Sequence, residues 1–293
     1  MIDFLQIIVS GIAVGSSYAL MGLAMVIIYK TTATEVPNFV QGEMALISVF
    51  LAFMIINSYG APVYVAFPCA LAFAAVLGGF LEFAVLRRAK EPNILSLIVI
   101  TMGLEMVLMG IVSWKFGADA KTMPFPISPY DSVALGEIFI SGLELLTMLT
   151  ALVLMIAIFL FYRFSKLGVA MKATQQNKVA ARLMGIRTNR INLLTWGMSS
   201  VVGCVAGLLI SPVVMDPYMM WDPMLKGFTA AVVGGMTSLP GSVVGAYIVG
   251  VIEHLFGAYV SIEFKSVVAF AIIVLVLCIK PSGLFTRHYV KKV

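Results

Sequence analysis

The chain has 293 residues, 61% of them hydrophobic and only 11% charged, with a mean hydropathy of +1.05. Soluble domains carry ~45–50% apolar and ~25% charged residues, so this chain cannot cover itself with a wet surface and needs lipid as part of its solvent. The net charge of +5 does not point to nucleic acid, because the basic residues cluster beside apolar runs.

A hydrocarbon core of ~30 Å takes ~20 helical residues per crossing. Runs of that kind recur at 4–29, 41–57, 63–86, 93–115, 138–162, 192–211, 225–239, 241–258 and 263–280. They do not alternate apolar and polar as porin strands do. The expectation is an all-α polytopic membrane protein with about eight or nine transmembrane helices, broken or half helices among them. The whole chain, 1–293, reads as a single transmembrane domain. Its first apolar run lacks the basic start of a signal peptide and is long enough to span, so it is expected to be retained. Segment 225–239 is short, rich in glycine and ended by Pro240, which suits a half-helix.

Orientation follows from Lys and Arg. Placing 87–92, 163–191 and the C-terminal tail in the cytoplasm, with Lys30 at the close of the first span on the same side, collects every basic residue except Lys115, Lys121, Lys226 and Lys265. About nine crossings satisfy this, with the N-terminus outside and the C-terminus inside. This parity favours a crossing by 225–239. Cys69, Cys204 and Cys278 lie apart and imply no disulfide framework. Two long outer segments, 116–137 and 212–224, carry prolines and aromatics. They suit either an external partner or interface anchoring by Tyr130, Tyr218 and Trp221.

The cytoplasmic stretch 163–191 is the most informative. Residues 172–184 suit a short helix, with Gly185 as its C-cap. Ala173, Ala180, Ala181, Leu183 and Met184 give it apolar contacts; Gln175, Gln176, Asn177, Lys178 and Arg182 give polar positions. Such a helix can dock in the groove of a soluble partner or lie on the anionic leaflet.

Here the residues resemble a known family. Ala180-Ala181-Arg182-Leu183-Met184-Gly185-Ile186 is similar to the coupling segment of ABC importer permeases. Gly15-Ser16-Ser17-Tyr18-Ala19-Leu20 and Pro37-Asn38-Phe39-Val40-Gln41-Gly42-Glu43 resemble motifs of the branched-chain amino acid permeases, closest to the LivH-like subunit. So do the glycine-rich run from Phe228 to Gly241 and Pro281-Ser282-Gly283-Leu284-Phe285. The family's His is Gln41 here and its Ala is Val40. Glutamine donates and accepts hydrogen bonds but does not titrate.

The resemblance implies a non-enzymatic transport subunit of the bacterial inner membrane. It would pair with a second permease, LivM-like or a copy of itself. Two cytoplasmic ATPases would hold ATP and Mg, and a periplasmic binding protein would deliver a branched-chain or hydrophobic amino acid, or a related small amide or aromatic acid. No cofactor is expected in this chain, which has no GxxxxGK[ST] phosphate loop and no HExxH. Its coupling residues would be Ala173, Gln175, Asn177, Ala180, Ala181, Arg182, Leu183, Met184 and Gly185.

Pathway candidates are interruptions of helix, because irregular backbone at membrane depth is tolerated only inside protein or beside water. One gathers Glu35, Asn38, Gln41, Gly42 and Glu43; the other gathers Gly234, Gly235, Thr237 and Ser238. Two broken helices facing one another are a recurrent transporter device. Glu105 lies near the middle of the fourth span, where a charge costs ~2.5–3.5 kcal/mol on insertion scales. Glu82 reads as structural beside Arg87, and Glu253 with His254 suits interfacial packing or a proton relay. Gly11 with Gly15, Gly203 with Gly207, and Gly241 with Gly245 allow close helix contacts. The competing function is an ion-gradient-driven transporter in which Glu43 and Glu105 carry a proton.

Overall fold

The computed structural model describes residues 2–31, 37–89, 93–127, 131–135, 138–280 and 282–285. Glu35, Lys90, Pro129, Tyr130, Pro281, Arg287, His288, Lys291 and Lys292 lie outside the described residues. The chain is helical almost throughout, and among the described residues seven helices are long and apolar enough to cross a membrane. They are α1 (Ile2–Thr31), α2 (Gln41–Tyr59), α3 (Val63–Ala84), α4 (Ile94–Phe116), α5 (Gly142–Phe164), α8 (Thr188–Ile210) and α10 (Leu239–Tyr259). Two loop helices, α6 (Lys166–Gln176) and α7 (Lys178–Leu183), and two short apolar ones, α9 (Trp221–Gly234) and α11 (Lys265–Ile279), complete the set.

Helix α1 is the axis of the bundle. Leu20 through Ile28, Gly22 included, are buried, and α10, α9, α8 and α5 pack around it. In lipid, apolar burial drives helix association only weakly, so close backbone approach through small residues carries the packing. The α1–α10 seam is built that way. A Cβ on Gly11 would meet Gly250 O at 3.1 Å, and one on Gly15 would meet Ala246 O at 3.1 Å. The pairings run in opposite directions along the two chains, so α1 and α10 are antiparallel. By the same test α9 and α10 form an antiparallel hairpin, with Gly234 against Gly241 and Ala230 against Gly245.

Several boundaries differ from the sequence expectation. The fifth span begins at Gly142, not 138, because Ile138–Ser141 (β2) pairs antiparallel with Ser132–Leu135 (β1). Ser141 then caps α5: its Oγ accepts from Leu143 N at 3.3 Å, and Glu144 Oε2 accepts from Ser141 N at 2.9 Å. The Gln6 side chain holds the hairpin to α1 through both backbone groups of Phe139. Pro240 does not close the seventh segment. It opens α10 in the first helical turn, where a missing N–H costs nothing. The expected single helix over 172–184 is two helices, divided at Asn177.

The ends of the bundle sort consistently. One end joins the start of α1 to the β hairpin, and Lys121 N donates to Met215 O at 2.8 Å there. The other end collects the close of α5, helices α6 and α7, and the α9–α10 turn. Leu284 N donates to Val233 O at 2.8 Å, so the segment after α11 seals that turn. Helix α9 therefore reaches the end where the C-terminal segment lies. Its 14 residues rise only ~21 Å, less than a hydrocarbon core, and the irregular stretch after α8 completes the crossing.

Candidate functional site

Helix α2 starts inside the bundle. Gln41 lies against Ser199, the midpoint residue of α8, and Glu43 is within electrostatic range of Glu105, the midpoint residue of α4. The break at 37–40 is thus at membrane depth and enclosed by protein, as irregular backbone there requires. Asn38, Gln41, Gly42 and Glu43 are all buried, at 3% exposure or less for the three polar side chains.

Gln41 organises the break. Asn38 Nδ2 donates to Gln41 Oε1 at 3.2 Å, and Gln41 Nε2 donates to Ser199 O at 3.1 Å. The Ser199 hydroxyl lies 2.8 Å from Gln41 Oε1 and 2.7 Å from Ala24 O, and its one proton serves either acceptor. A Cβ at Gly203 would strike Gln41 Nε2, so glycine makes room for this amide. Asn38 Oδ1 and Glu43 Oε2 are buried acceptors without a partner among the described residues. Glu105, 7% exposed, completes a group of two acids that no ion pair among the described residues neutralises.

The second helix start at this place is that of α9, not the Gly234–Gly241 break that the sequence suggested. A Cβ on Gly42 would lie 3.2 Å from Met224 Sδ and 3.5 Å from Met220 O. The rings of Phe39 and Phe228 are 6.1 Å apart. The first turns of α2 and α9 therefore touch inside the bundle. The first turn of any helix has N–H groups without intrahelical partners, so both starts aim N–H groups at this place; at the start of α9, Trp221 N is bonded to Tyr218 O at 2.9 Å. By contrast Gly234, Gly235, Thr237 and Ser238 form the tight α9–α10 turn, where Thr237 is exposed and Ser238 Oγ accepts from Gly241 N at 3.1 Å. Sequence reasoning missed Ser199, Met220 and Met224, whose only signal is their place in apolar runs.

The family described as "Branched-chain amino acid transport system / permease component" matches residues 7–277. The chain belongs to this family. It is 31% identical to the high-affinity branched-chain amino acid transport system permease protein LivH of Escherichia coli, over 99% of this chain and 98% of that one. It is 30% identical to the corresponding protein BraD of Pseudomonas aeruginosa, again over 99% and 98%. More distantly it resembles the ribose import permease protein RbsC of Haemophilus influenzae, at 22% identity over 85% of this chain and 77% of that one. This permease is a multi-pass membrane protein, and among its described residues no group of three or more His, Cys, Asp or Glu side chains can hold a metal ion.

The loop expected to couple it to a motor is ordered by two caps. Asn177 ends α6 and starts α7, its Oδ1 accepting from Val179 N and Ala180 N at 3.0 Å each. Gly185, at φ +83°, ends α7, with Gly185 N bonded to Arg182 O and Ile186 N to Ala181 O. That is the left-handed glycine stop expected from the sequence. Ala173 and Gln175 are half-buried on α6, Ala180 is exposed and Ala181 is buried. Leu183 and Met184 are each 83% exposed, so α7 ends in a bare apolar tip. Met171 of α6 is buried, and Tyr162 at the end of α5 lies 3.4 Å from Thr31 Oγ1, the last residue of α1.

Glu82 pairs with Arg87 at 2.6 Å near the same end. Glu253 Oε1 lies 2.6 Å from Lys226 Nζ, and His254 Nδ1 contacts Gly250 O at 2.9 Å; Lys265 Nζ lies between the two, 3.7 Å from Glu253 Oε1 and 3.4 Å from His254 Nε2.

Proposed function

We propose that this chain forms half of the translocation pathway of an ABC importer for branched-chain or other hydrophobic amino acids, or a related small amide or aromatic acid. The observation that carries the reading is the meeting of the α2 and α9 first turns at membrane depth. The two helix starts supply amides for a substrate carboxylate, while Asn38 Oδ1 and Glu43 Oε2 supply acceptors for an ammonium group. The pathway residues are Asn38, Gln41, Gly42, Glu43 and Glu105, with Gly234, Gly235, Thr237 and Ser238 forming the turn that ties α9 to α10 so that the two move as a unit.

The residues 1–293 act as one permease domain in the bacterial inner membrane, with the N-terminus outside and the C-terminus cytoplasmic. A second permease, LivM-like or identical, supplies the other half, and a periplasmic binding protein delivers substrate. ATP and Mg bind to two cytoplasmic ATPases, in whose grooves the α7 tip sits. Their closure moves α6 and α7, and α6 passes the movement to the end of α1 through Tyr162 and Thr31. Because the break is buried in this conformation, it is occluded, and substrate reaches it when α2 and α9 part.

The test is uptake in proteoliposomes holding this chain with its operon's second permease, ATPases and binding protein. Leucine uptake should require ATP and should be lost in Gly185→Pro, which breaks the α7 stop. Uptake by the chain alone that an uncoupler abolishes would instead establish a gradient-driven transporter and overturn the assignment.

A further inference from the structure

At the end of the bundle that holds the α6–α7 loop, Arg87 just after α3, the α7–α8 connection and the first turn of α8 form a cleft of about 670 Å³, lined by Arg87, Arg182, Arg187, Thr188, Asn189 and Arg190. Arg87 is engaged by Glu82 and by Asn189 O at 2.9 Å. Arg182 Nε donates to Thr188 Oγ1 at 2.9 Å, a neutral partner. Among the described residues no carboxylate lies within ion-pair distance of Arg182, Arg187 or Arg190. The cleft therefore carries three uncompensated guanidinium charges. Helix α8 starts on its wall, and its N-cap residue Arg187 gives no side-chain cap. Nearby Lys178 is held below its ordinary value, by burial first and then by the charge of Arg182, against the opposing pull of Glu82.

A second, separate concavity lies further along α8. It is a groove of about 330 Å³, almost wholly apolar, between α8 and α3, lined among others by Leu194, Gly197, Val201 and Ala75. Arg190, Leu194, Gly197 and Val201 are spaced by four, three and four residues, so they form one stripe on the helix. A basic head cleft above an apolar groove on one transmembrane helix has the polarity of a phospholipid. Guanidinium groups match phosphate oxygens bidentately, and basic pockets between spans at the cytoplasmic face suit anionic headgroups.

We propose that the cytoplasmic ends of α3 and α8 bind one anionic phospholipid, its phosphate in the arginine cleft and an acyl chain along the α8 groove. The site adjoins Arg182 and Gly185, so the lipid would brace the base of the α6–α7 loop. Neither the importer reading nor any substrate is needed for this inference, and its test does not use transport.

The experiment is native mass spectrometry of the full chain in detergent, titrated with phosphatidylglycerol or phosphatidylcholine. Phosphatidylglycerol should bind on the order of tenfold tighter. Each basic side chain near an anionic surface is worth ~1 kcal/mol, about fivefold in affinity, so the double variant Arg187→Ala, Arg190→Ala should lose about 25-fold for phosphatidylglycerol and only about two- to threefold for phosphatidylcholine, which abolishes the preference. Leu194→Trp, which fills the groove and leaves every arginine in place, should weaken both lipids; it carries the test if the double variant fails to fold. Equal binding of the two lipids overturns the proposal, as does unchanged binding by Leu194→Trp. Full displacement of lipid by inorganic phosphate would reduce the site to a free-anion cleft. Cross-linking of Leu194→Cys to a second permease chain in native membranes would make the groove a subunit interface instead.

Discussion

The Lys226–Glu253 pair offers the sharpest test of the packing. Lys226 Nζ lies 2.6 Å from Glu253 Oε1, and the two side chains are 5% and 1% exposed. Lys226 also meets Asp222 at 2.6 Å and sits 5.4 Å over the Tyr18 ring, so one ammonium joins α9, α10 and α1. Replacing Lys226 by Met keeps the stem and removes the charge. Glu253 is left with Lys265, 3.7 Å away and 31% exposed, as its remaining cation. Breaking a buried pair from one side costs about 3–5 kcal/mol, whereas replacing both partners with apolar groups is close to neutral. The expected result is a fall in apparent melting temperature on the order of 10 °C for Lys226→Met, with most of it recovered in Lys226→Met, Glu253→Leu. Intrinsic fluorescence of the purified chain in detergent reads it through Trp221, in the first turn of α9. A single variant as stable as the parent, or a double variant as unstable as the single, would refute the reasoning.

Two further outcomes test the site and the loop. Gln41→Ala leaves Asn38 Nδ2 and Ser199 O without their buried partner, at a cost of about 1–3 kcal/mol. The same melting assay should place it below Gln41→Glu only if the amide's acceptor bonds matter more than its donor bond. Asn177→Ala removes the cap of α7, worth about 1 kcal/mol, while Asn177→Asp keeps an acceptor for Val179 N and Ala180 N. Hydrogen exchange over 178–184 should rise in the first variant and stay near the parent in the second.

Much of the fold is legible in the sequence because hydropathy and length are local properties. The spans fall within a few residues of their expected places, and the Gly185 stop was readable from residue type and position. The half-helix α9 was visible as a run too short to cross. What could not be read was which face meets which. Lipid-facing and buried helix surfaces are equally apolar, so nothing marks Met220 and Met224 as neighbours of Gly42. For the same reason the sequence offers Gly234–Gly241 as the second pathway break, when those glycines serve a backbone approach between α9 and α10. Charge counting puts Lys226 on the outer side with Lys115, Lys121 and Lys265. Its partner is Glu253, 27 positions away, and a count has no term for pairing across helices. The β1–β2 hairpin was missed although Ser141 and Glu144 carry a capping-box spacing, because the apolar run reads straight through it.

The seams of the bundle indicate where movement is expensive. Helix α1 meets α10, and α9 meets α10, through backbone contacts at Gly11, Gly15, Gly234 and Gly245, where no flexible side chain can absorb a shift. Packed surfaces of this kind move as units or not at all. The α2–α9 contact is different. It is made by Gly42 against the thioether of Met224 and by Phe39 against Phe228, and methionine is the side chain that repacks most readily. Helices α1, α9 and α10 are further locked by the charges of Lys226 and Glu253. A displacement arriving at the end of α1 through Tyr162 would therefore carry α1, α9 and α10 together against α2. The contact that would yield is the one at Gly42, where the starts of α2 and α9 meet beside the oxygens of Asn38 and Glu43 that have no partner among the described residues.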